Sequence, residues 1–240
     1  MSSAQIEPLG DCALLIGFGE RISSALNARA LAVTAALLQA NLPGVRDIAP
    51  AYASVCVQYD PAIWTDPAKL HTPFARIALR INELVDNAAF VPTSAMRTSI
   101  EVPVCYGGEF GPDLDDLARY ARLSVDEVIA RHCAPDYRVA MLGFAPGFPY
   151  LLGLDPALHA PRRATPRVRV PAGSVAIGGA QTGIYPSELP GGWLLIGRTP
   201  LTLFDPAREA PALLAPGQRL RFRAISADEI SAGELAALTR

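Results

Sequence analysis

Polar side chains with the chemistry of a binding site are concentrated between residues 132 and 198. Arg162, Arg163 and Arg198 stand in stretches rich in Pro and Gly, so turns hold them in place. A guanidinium group is a rigid fork of donors that fits a carboxylate or a phosphate. We therefore predict that these three arginines bind an anion. The alternative is that they form ion pairs within the protein.

Further candidates lie close to these arginines in the sequence. Gln181 and Thr182 follow two glycines, and glycine lets a ligand approach the backbone. The backbone N–H groups there could bind a phosphate or polarise an amide, with the Gln181 amide as a further donor, unless the segment is an ordinary hairpin turn. Tyr185 and Trp193 fit a pocket wall and a core equally well. The predicted wall of the pocket consists of Phe144, Phe148 and Trp193.

His132 is the candidate for proton transfer. It follows a capped helix, and an unperturbed histidine has a pKa of about 6.5, so it could act as a general base. A lone histidine can also be structural, and that alternative stays open.

The stretch from Tyr137 to Asp205 is basic, with six arginines and three acidic residues. In R-V-R-V (167–170) the alternation places Arg167 and Arg169 on one face of a strand, which we predict to be a solvated outer face. The chain has no phosphate-binding G-x-x-x-x-G-K-[ST] loop, no G-x-S-x-G nucleophile elbow and no H-E-x-x-H motif. Ser174 has no visible triad partners. These absences predict a chain that contributes half of an active site and is inactive alone.

Short apolar runs between Gly and Pro carry these residues, and the pattern predicts strands joined by tight turns. A strand at 99–105 and two helices, at 113–122 and 124–131, precede them. The short lengths of the strands predict a closed or nearly closed barrel. The pattern alone is also compatible with a sandwich. The predicted strands are 137–142, 167–171, 174–178, 193–198, 201–204 and 219–224.

The first half has a different pattern. Strands at 3–9 and 12–18, a helix ending near Asn41, strands at 45–49 and 54–59, and a helix over 67–85 give the order ββαββα. This order predicts a small α+β sandwich domain at 1–95. The polar and small residues of 87–98 are the predicted linker to a second domain at 96–240.

Composition excludes several classes of protein. Half of the 240 residues are apolar and the net charge is −2, so we expect a packed core and no general attraction to nucleic acid or membranes. The four cysteines and three histidines show no disulfide or zinc spacing, so we predict no metal site. No signal peptide and no apolar run long enough to span a membrane is visible, which favours a cytoplasmic protein.

Long ordered motifs carry a resemblance to a known family. G-F-A-P-G-F-P-Y-L (143–151), R-R-A-T-P-R (162–167), P-A-G-S-V-A-I-G-G-A-Q-T-G-I-Y-P (171–186) and P-G-G-W-L-L-I-G-R-T-P (190–200) closely resemble the allophanate hydrolase subunit 1 family, also called the KipI family. The resemblance implies an α+β N-terminal domain followed by a mainly β, cyclophilin-like barrel domain. It covers 100–205 firmly and 1–95 in outline.

The resemblance also implies a function. Family members include a subunit of the ATP-dependent 5-oxoprolinase that hydrolyses 5-oxoproline to L-glutamate, with ATP and Mg²⁺ acting in the complex. The implied partners are a second cyclophilin-like subunit and a third subunit. The alternatives are inhibition of a sensor histidine kinase and a part in urea or allophanate degradation. The motif match assigns Arg162, Arg163 and Arg198 to anions, Gln181 and Tyr185 to positioning, and His132 to proton transfer.

Overall fold

The computed structural model describes residues 4–87 and 99–230. The chain falls into two compact units, residues 1–95 and 96–240, which are described separately below. The predicted linker at 87–98 lies outside the described residues except for Asn87.

The first unit is a four-stranded antiparallel sheet with two helices. The strands lie in the order β1-β2-β4-β3, and side chains of β2 and β4 such as Ile16 and Val57 pack with the helices in one core. Its elements are β1 Gln5–Pro8, β2 Ala13–Gly17, α1 Ser24–Ala40, β3 Val45–Pro50, β4 Ser54–Tyr59 and α2 Pro73–Asn87.

Local chemistry sets the helix ends. The Ser23 hydroxyl accepts a hydrogen bond from the Leu26 N–H, and Asn41 adopts the left-handed conformation that ends α1, which confirms the predicted stop. The second helix begins six residues later than predicted, at Pro73 instead of 67. The carboxylate of Asp66 accepts hydrogen bonds from three backbone N–H groups up to His71, and this turn replaces the expected first helical turns.

The second unit contains a closed barrel of seven described strands, in the order β10-β7-β6-β13-β5-β12-β9. Neighbouring strands are antiparallel except β5 and β13, which are parallel. Two further strands, β8 and β11, pair with each other in a separate two-stranded sheet. The elements are β5 Ile100–Tyr106, α3 Leu114–Ala121, α4 Val125–Cys133, β6 Tyr137–Leu142, β7 Pro149–Leu152, β8 Arg167–Val170, β9 Ser174–Gly178, β10 Gln181–Ile184, β11 Leu189–Gly191, β12 Leu194–Arg198 and β13 Arg219–Ile225.

Alternation along the strands divides the apolar side chains into two clusters. Val175 and Ile177 of β9 belong to the large cluster that fills the barrel. Ala176, between them, belongs to a smaller cluster on the outer face of the barrel, which Val170 of β8 helps to cover. The members of this outer cluster are Phe148, Val170, Ala176, Tyr185, Trp193 and Leu195.

The barrel confirms the predicted closed architecture, with differences in single strands. The strand predicted at 201–204 is wrong, because Phe204 makes only an isolated bridge to Ala212. The sequence analysis missed β7, β10 and β11. β10 contains Gly183, and a side chain at that position would collide with the Pro149 carbonyl of β7 and press against the Phe148 ring, so the glycine serves close packing and not a turn.

Candidate functional site

His132 lies inside the barrel and is completely buried. Its Nε2 is 3.1 Å from the Thr182 hydroxyl on β10, its ring stacks on Phe222 of β13 at 4.4 Å, and its Nδ1 is 2.7 Å from the Tyr106 hydroxyl. The Thr182 hydroxyl donates to the Ala176 carbonyl at 3.0 Å, so it accepts from His132. Nε2 therefore carries the proton, and Nδ1 accepts from Tyr106.

This closed chain of hydrogen bonds keeps the imidazole neutral. Burial lowers the pKa of His132 to about 3. Burial likewise raises the pKa of the Tyr106 hydroxyl well above its usual value. His132 and Thr182 are thus buried together inside the barrel, and neither side chain reaches its outer surface. The role of His132 in proton transfer stays a prediction.

A buried carboxylate, Asp113, binds two of the arginines. Its oxygens accept from Arg163 Nη1 at 2.9 Å, from Arg167 Nη1 and Nη2 at 2.7 and 2.8 Å, and from the Leu195 N–H at 2.7 Å. We call these groups the Asp113 cluster. The prediction that Arg167 lies on a solvated outer face is wrong, because its fork is bonded to Asp113. Arg163 takes the ion pair that was the alternative to anion binding.

The Asp113 cluster is ionised. Burial alone would raise the pKa of Asp113, but the hydrogen bonds from Arg167 and Leu195 and the charges of Arg167 and Arg163 outweigh it, and the pKa is lowered. The close approach of Asp113 to β12 depends on Gly111, where any side chain would collide with the carbonyl of Ile196. Backbone contact at this point brings the start of α3 against β12.

Five aromatic rings gather on the outer face of the barrel, and we call them the aromatic cluster. Phe148 is the central ring, with centroids 5.4 Å from Phe144, 4.9 Å from Tyr150, 5.2 Å from Tyr185 and 5.8 Å from Trp193. Most of these pairs meet edge to face, the preferred geometry for aromatic rings. The predicted wall residues Phe144, Phe148 and Trp193 are thereby brought together. Tyr185 is buried among them, and burial raises the pKa of its hydroxyl.

Residues 142–147, the end of β6 and the loop that follows it, line a shallow, open cleft of about 350 Å³ beside this cluster. Ala145 N–H donates to the Gly143 carbonyl at 2.8 Å, a three-residue turn that places Phe144 at a φ of 69°. A non-glycine residue at positive φ is strained, and such strain is concentrated at functional sites. The Phe144 side chain is also 60% exposed. The loop therefore holds an aromatic ring out toward solvent.

Two predicted polar residues border the cluster. The guanidinium of Arg162 lies 5.7 Å from the centre of the Trp193 ring, and the residue is exposed. Gln181 is paired with Gly178, so it lies on the outer face, where the Trp193 ring packs over that glycine. Arg162 makes no ion pair with any described residue. It is therefore available to an anionic ligand.

Arg198 lies at the other end of β12. Its guanidinium is 4.6 Å from the centre of the Phe110 ring, and its strand neighbour is Ser174, whereas Trp193 packs over Gly178 at the far end of β9. The structure therefore separates the three arginines that the sequence grouped. Arg162 borders the aromatic cluster, Arg163 belongs to the Asp113 cluster, and Arg198 stands beside Phe110.

The sequence analysis missed Asp113 and Tyr150. The excess of arginine between Tyr137 and Asp205 was a usable signal, since buried arginines need an acid from elsewhere in the chain. Within residues 4–87 and 99–230 no group of three or more His, Cys, Asp or Glu side chains converges as a metal site would. No described helix is both long and apolar enough to cross a membrane.

Comparison with known proteins extends over most of the chain. Residues 4–214 match the family described as carboxyltransferase domain, subdomain C and D. The chain is 44% identical over 224 residues to the B-type subunit of 5-oxoprolinase from Bacillus subtilis, covering 92% of this chain and 93% of that one. It is 58% identical over 123 residues to the corresponding 5-oxoprolinase subunit of Escherichia coli O157:H7, covering 51% of this chain and 56% of that one.

Solved structures share the fold. The crystal structure of TTHA0988 is 41% identical, with a TM-score of 0.76, and the similarity covers 89% of this chain but only 40% of that longer one. The urea amidolyase of K. lactis has a TM-score of 0.72 over 95% of this chain and 15% of that one, at 19% identity, so it shows the fold alone. The sequence match over 4–214 and the near full-length relative from Bacillus subtilis together show that the chain belongs to the carboxyltransferase subdomain C and D family, alongside the B-type subunits of 5-oxoprolinase.

Proposed function

We propose that this chain is a subunit of a 5-oxoprolinase, a hydrolase that opens the cyclic amide of 5-oxoproline to give L-glutamate and consumes ATP. The observation that carries the proposal is the 44% identity to a 5-oxoprolinase subunit over nearly the full length of both chains. The shorter and stronger similarity to the Escherichia coli subunit supports the same assignment.

The geometry supports a subunit that is inactive alone. His132, the predicted group for proton transfer, is completely buried inside the barrel and neutral. Arg163 and Arg167 are both engaged in ion pairs with Asp113. The open groups at the aromatic cluster, Arg162 and Gln181, can bind and orient a ligand, but neither is a nucleophile or a general base at neutral pH. Another subunit must supply that chemistry.

Hydrolysis of a lactam explains the need for ATP. A planar amide resists attack by water, and phosphorylation of its oxygen would make the ring carbon a better electrophile. We place ATP with Mg²⁺ in the assembled complex, and we assign no residue of this chain to the nucleotide.

We further propose that the barrel is cyclophilin-like, that the units 1–95 and 96–240 are separate domains, and that the partners are a second cyclophilin-like subunit and a third subunit. The length of TTHA0988 supports an adjoining partner, because a region similar to this chain occupies 40% of that polypeptide. All four cysteines are free, which is typical of proteins in the reducing cytoplasm and supports that location. Kinase inhibition and urea degradation remain alternatives with less support.

Co-expression tests the proposal. The purified chain should release no glutamate from 5-oxoproline with ATP, and activity should appear when the subunits encoded beside it are added. The chain and its barrel partner should elute together in gel filtration at micromolar concentration, since a stable shared site needs an interface above about 1,000 Å². Turnover by the chain alone, or separate elution of the two proteins, would show that the shared-site interpretation is wrong.

A further inference from the structure

We propose that the aromatic cluster and the 142–147 loop form the binding site for the ring of a small carboxylated lactam, with Arg162 as the group that binds its carboxylate. The inference rests on the proposed function. It adds where the substrate binds on this chain and in which orientation. The carboxylate would bind at the Arg162 side of Trp193, and the ring would lie toward Tyr150 and Phe144.

Arg162 has the charge and the exposure that a carboxylate ligand requires. It stacks at 5.7 Å from Trp193 and makes no ion pair among the described residues. Its charge lowers the pKa values of the Tyr150 and Tyr185 hydroxyls, against the larger effect of burial, which raises both. The guanidinium is therefore near both hydroxyls, at the border of the aromatic cluster.

The position of Arg162 is fixed by its neighbour. The Arg163 N–H donates to the Gly192 carbonyl at 2.7 Å, and the Arg163 side chain is bonded to Asp113 at 2.9 Å. Asp113 also accepts from the Leu195 N–H, two residues beyond Trp193. Backbone and side-chain bonds thus tie the arginine loop to the segment that carries Trp193. Arg162 is held over that ring before any ligand arrives, which lowers the entropic cost of binding.

The loop beyond Tyr150 suits a flat ring with a carbonyl group. Tyr150 lies 5.9 Å from Trp193 on one side and beside Gly143 of the loop on the other. The cleft of about 350 Å³ exceeds the size of a five-membered lactam, and the exposed Phe144 ring offers a stacking surface. The N–H group of Phe144 meets no acceptor among the described residues, and Phe144 is exposed, so this N–H is available to a ligand carbonyl oxygen.

The charge pattern favours a single carboxylate over a nucleotide triphosphate. A triphosphate is bound by several cations or by a backbone loop with a metal ion. Among the described residues one guanidinium is open at the aromatic cluster, since Arg163 and Arg167 are both bonded to Asp113 and Arg198 stands at the far end of β12. One fork matches one carboxylate.

The test compares two lactams in the assembled complex. Kinetic constants for ATP, for 5-oxoproline and for 2-pyrrolidone, the same ring without a carboxylate, are measured for the wild type, Arg162→Ala, Arg162→Lys and the control Arg169→Ala. Arg169 is also exposed on β8, and its ion pair within the described part of the chain is a long contact with Glu188 at 3.5 Å. Saturation-transfer NMR measures binding of each lactam to the full chain alone, and circular dichroism checks that each variant is folded.

We expect Arg162→Ala to lower kcat/KM for 5-oxoproline about 10- to 100-fold, the effect of a charged hydrogen bond, and to leave 2-pyrrolidone and the KM for ATP unchanged. Arg162→Lys should be impaired in the same direction, and Arg169→Ala should match the wild type. A preference for the carboxylated lactam that persists in Arg162→Ala, or a raised KM for ATP only, overturns the inference. An inactive wild-type complex would refute the proposed function, and lactam binding to the chain would then decide the site by itself.

Discussion

Replacement of Asp113 by Ala should destabilise the second unit more than any exposed ion pair does. Asp113 is 2% exposed and accepts four hydrogen bonds, three of them from guanidinium groups. Removing one partner of a buried ion pair costs about 3–5 kcal/mol. The Arg163 and Arg167 side chains keep 34% and 23% exposure, so water can solvate them in part, and we expect a loss near the lower limit, about 3 kcal/mol.

Trp193 provides the assay, because it packs beside the Asp113 cluster in the second unit. Trp64 in the first unit is changed to Phe so that urea unfolding is followed through Trp193 alone. Asp113→Ala should lower the urea midpoint of the second unit by the amount that corresponds to a loss of about 3 kcal/mol in its free energy of unfolding. The matched control is Asp136→Ala, which breaks an exposed pair with Arg221 and should shift the midpoint far less than Asp113→Ala does.

The pH dependence gives a second check. The folded-state pKa of Asp113 is below its unfolded value of about 3.9, so its stabilisation is complete above that value and is lost as the pH falls through the folded pKa. The stability difference between the wild type and Asp113→Asn should therefore be constant at neutral pH and shrink below about pH 4. Equal effects of Asp113→Ala and Asp136→Ala at pH 7 would refute the reasoning.

Two further predictions concern His132 and Phe144. The pKa of His132 is about 3 when folded and about 6.5 when unfolded, so its contribution to stability is complete above pH 6.5 and falls by about 1.4 kcal/mol for each pH unit below it. Urea midpoints at pH 7, 6 and 5 should show this slope, and a His132→Gln variant should lack it. Phe144→Gly should be more stable than Phe144→Ala by about 1 kcal/mol in thermal unfolding, because glycine adopts positive φ without strain, and equal stabilities would contradict a strained turn.

Much of the fold could be predicted from local patterns. The helix α1 has a polar N-cap, an apolar stripe and a Pro-Gly stop, and each signal acts within a few residues. The strand β4 alternates cleanly, with Val55, Val57 and Tyr59 buried on the face that packs into the core of the first unit. β7 and β10 were missed because Pro149 and Gly183 look like turn residues. Gly183 is required because Phe148 packs against its backbone. The two residues are far apart in the sequence, so no short stretch of sequence contains this contact.

The candidate site was predicted in part for a similar reason. Residue chemistry and the motifs indicated Arg162, Phe144 and Trp193, which the structure brings to one face of the barrel. Chemistry alone could not separate Arg162 from Arg163, because adjacent residues differ only in the direction of their side chains. The partner that decides this, Asp113, lies 50 residues earlier in the chain. Alternation also misled the interpretation of Arg167, because an outward side chain can still be covered by a neighbouring loop.

Adjacent arginines of one short loop serve different roles in the Asp113 cluster and in the proposed binding site. Arg163 and Arg167 are bonded to one carboxylate, whose ionised form their charges stabilise, so both forks are engaged within the fold. Arg162, one residue away, keeps its charge toward solvent because its neighbour is held on both sides. A rigid loop that presents one open guanidinium beside aromatic rings can select a carboxylated ring and fix its orientation. It supplies no group that attacks an amide. On the proposed function, the attacking group comes from a partner subunit that completes the cleft on the open side of the ring.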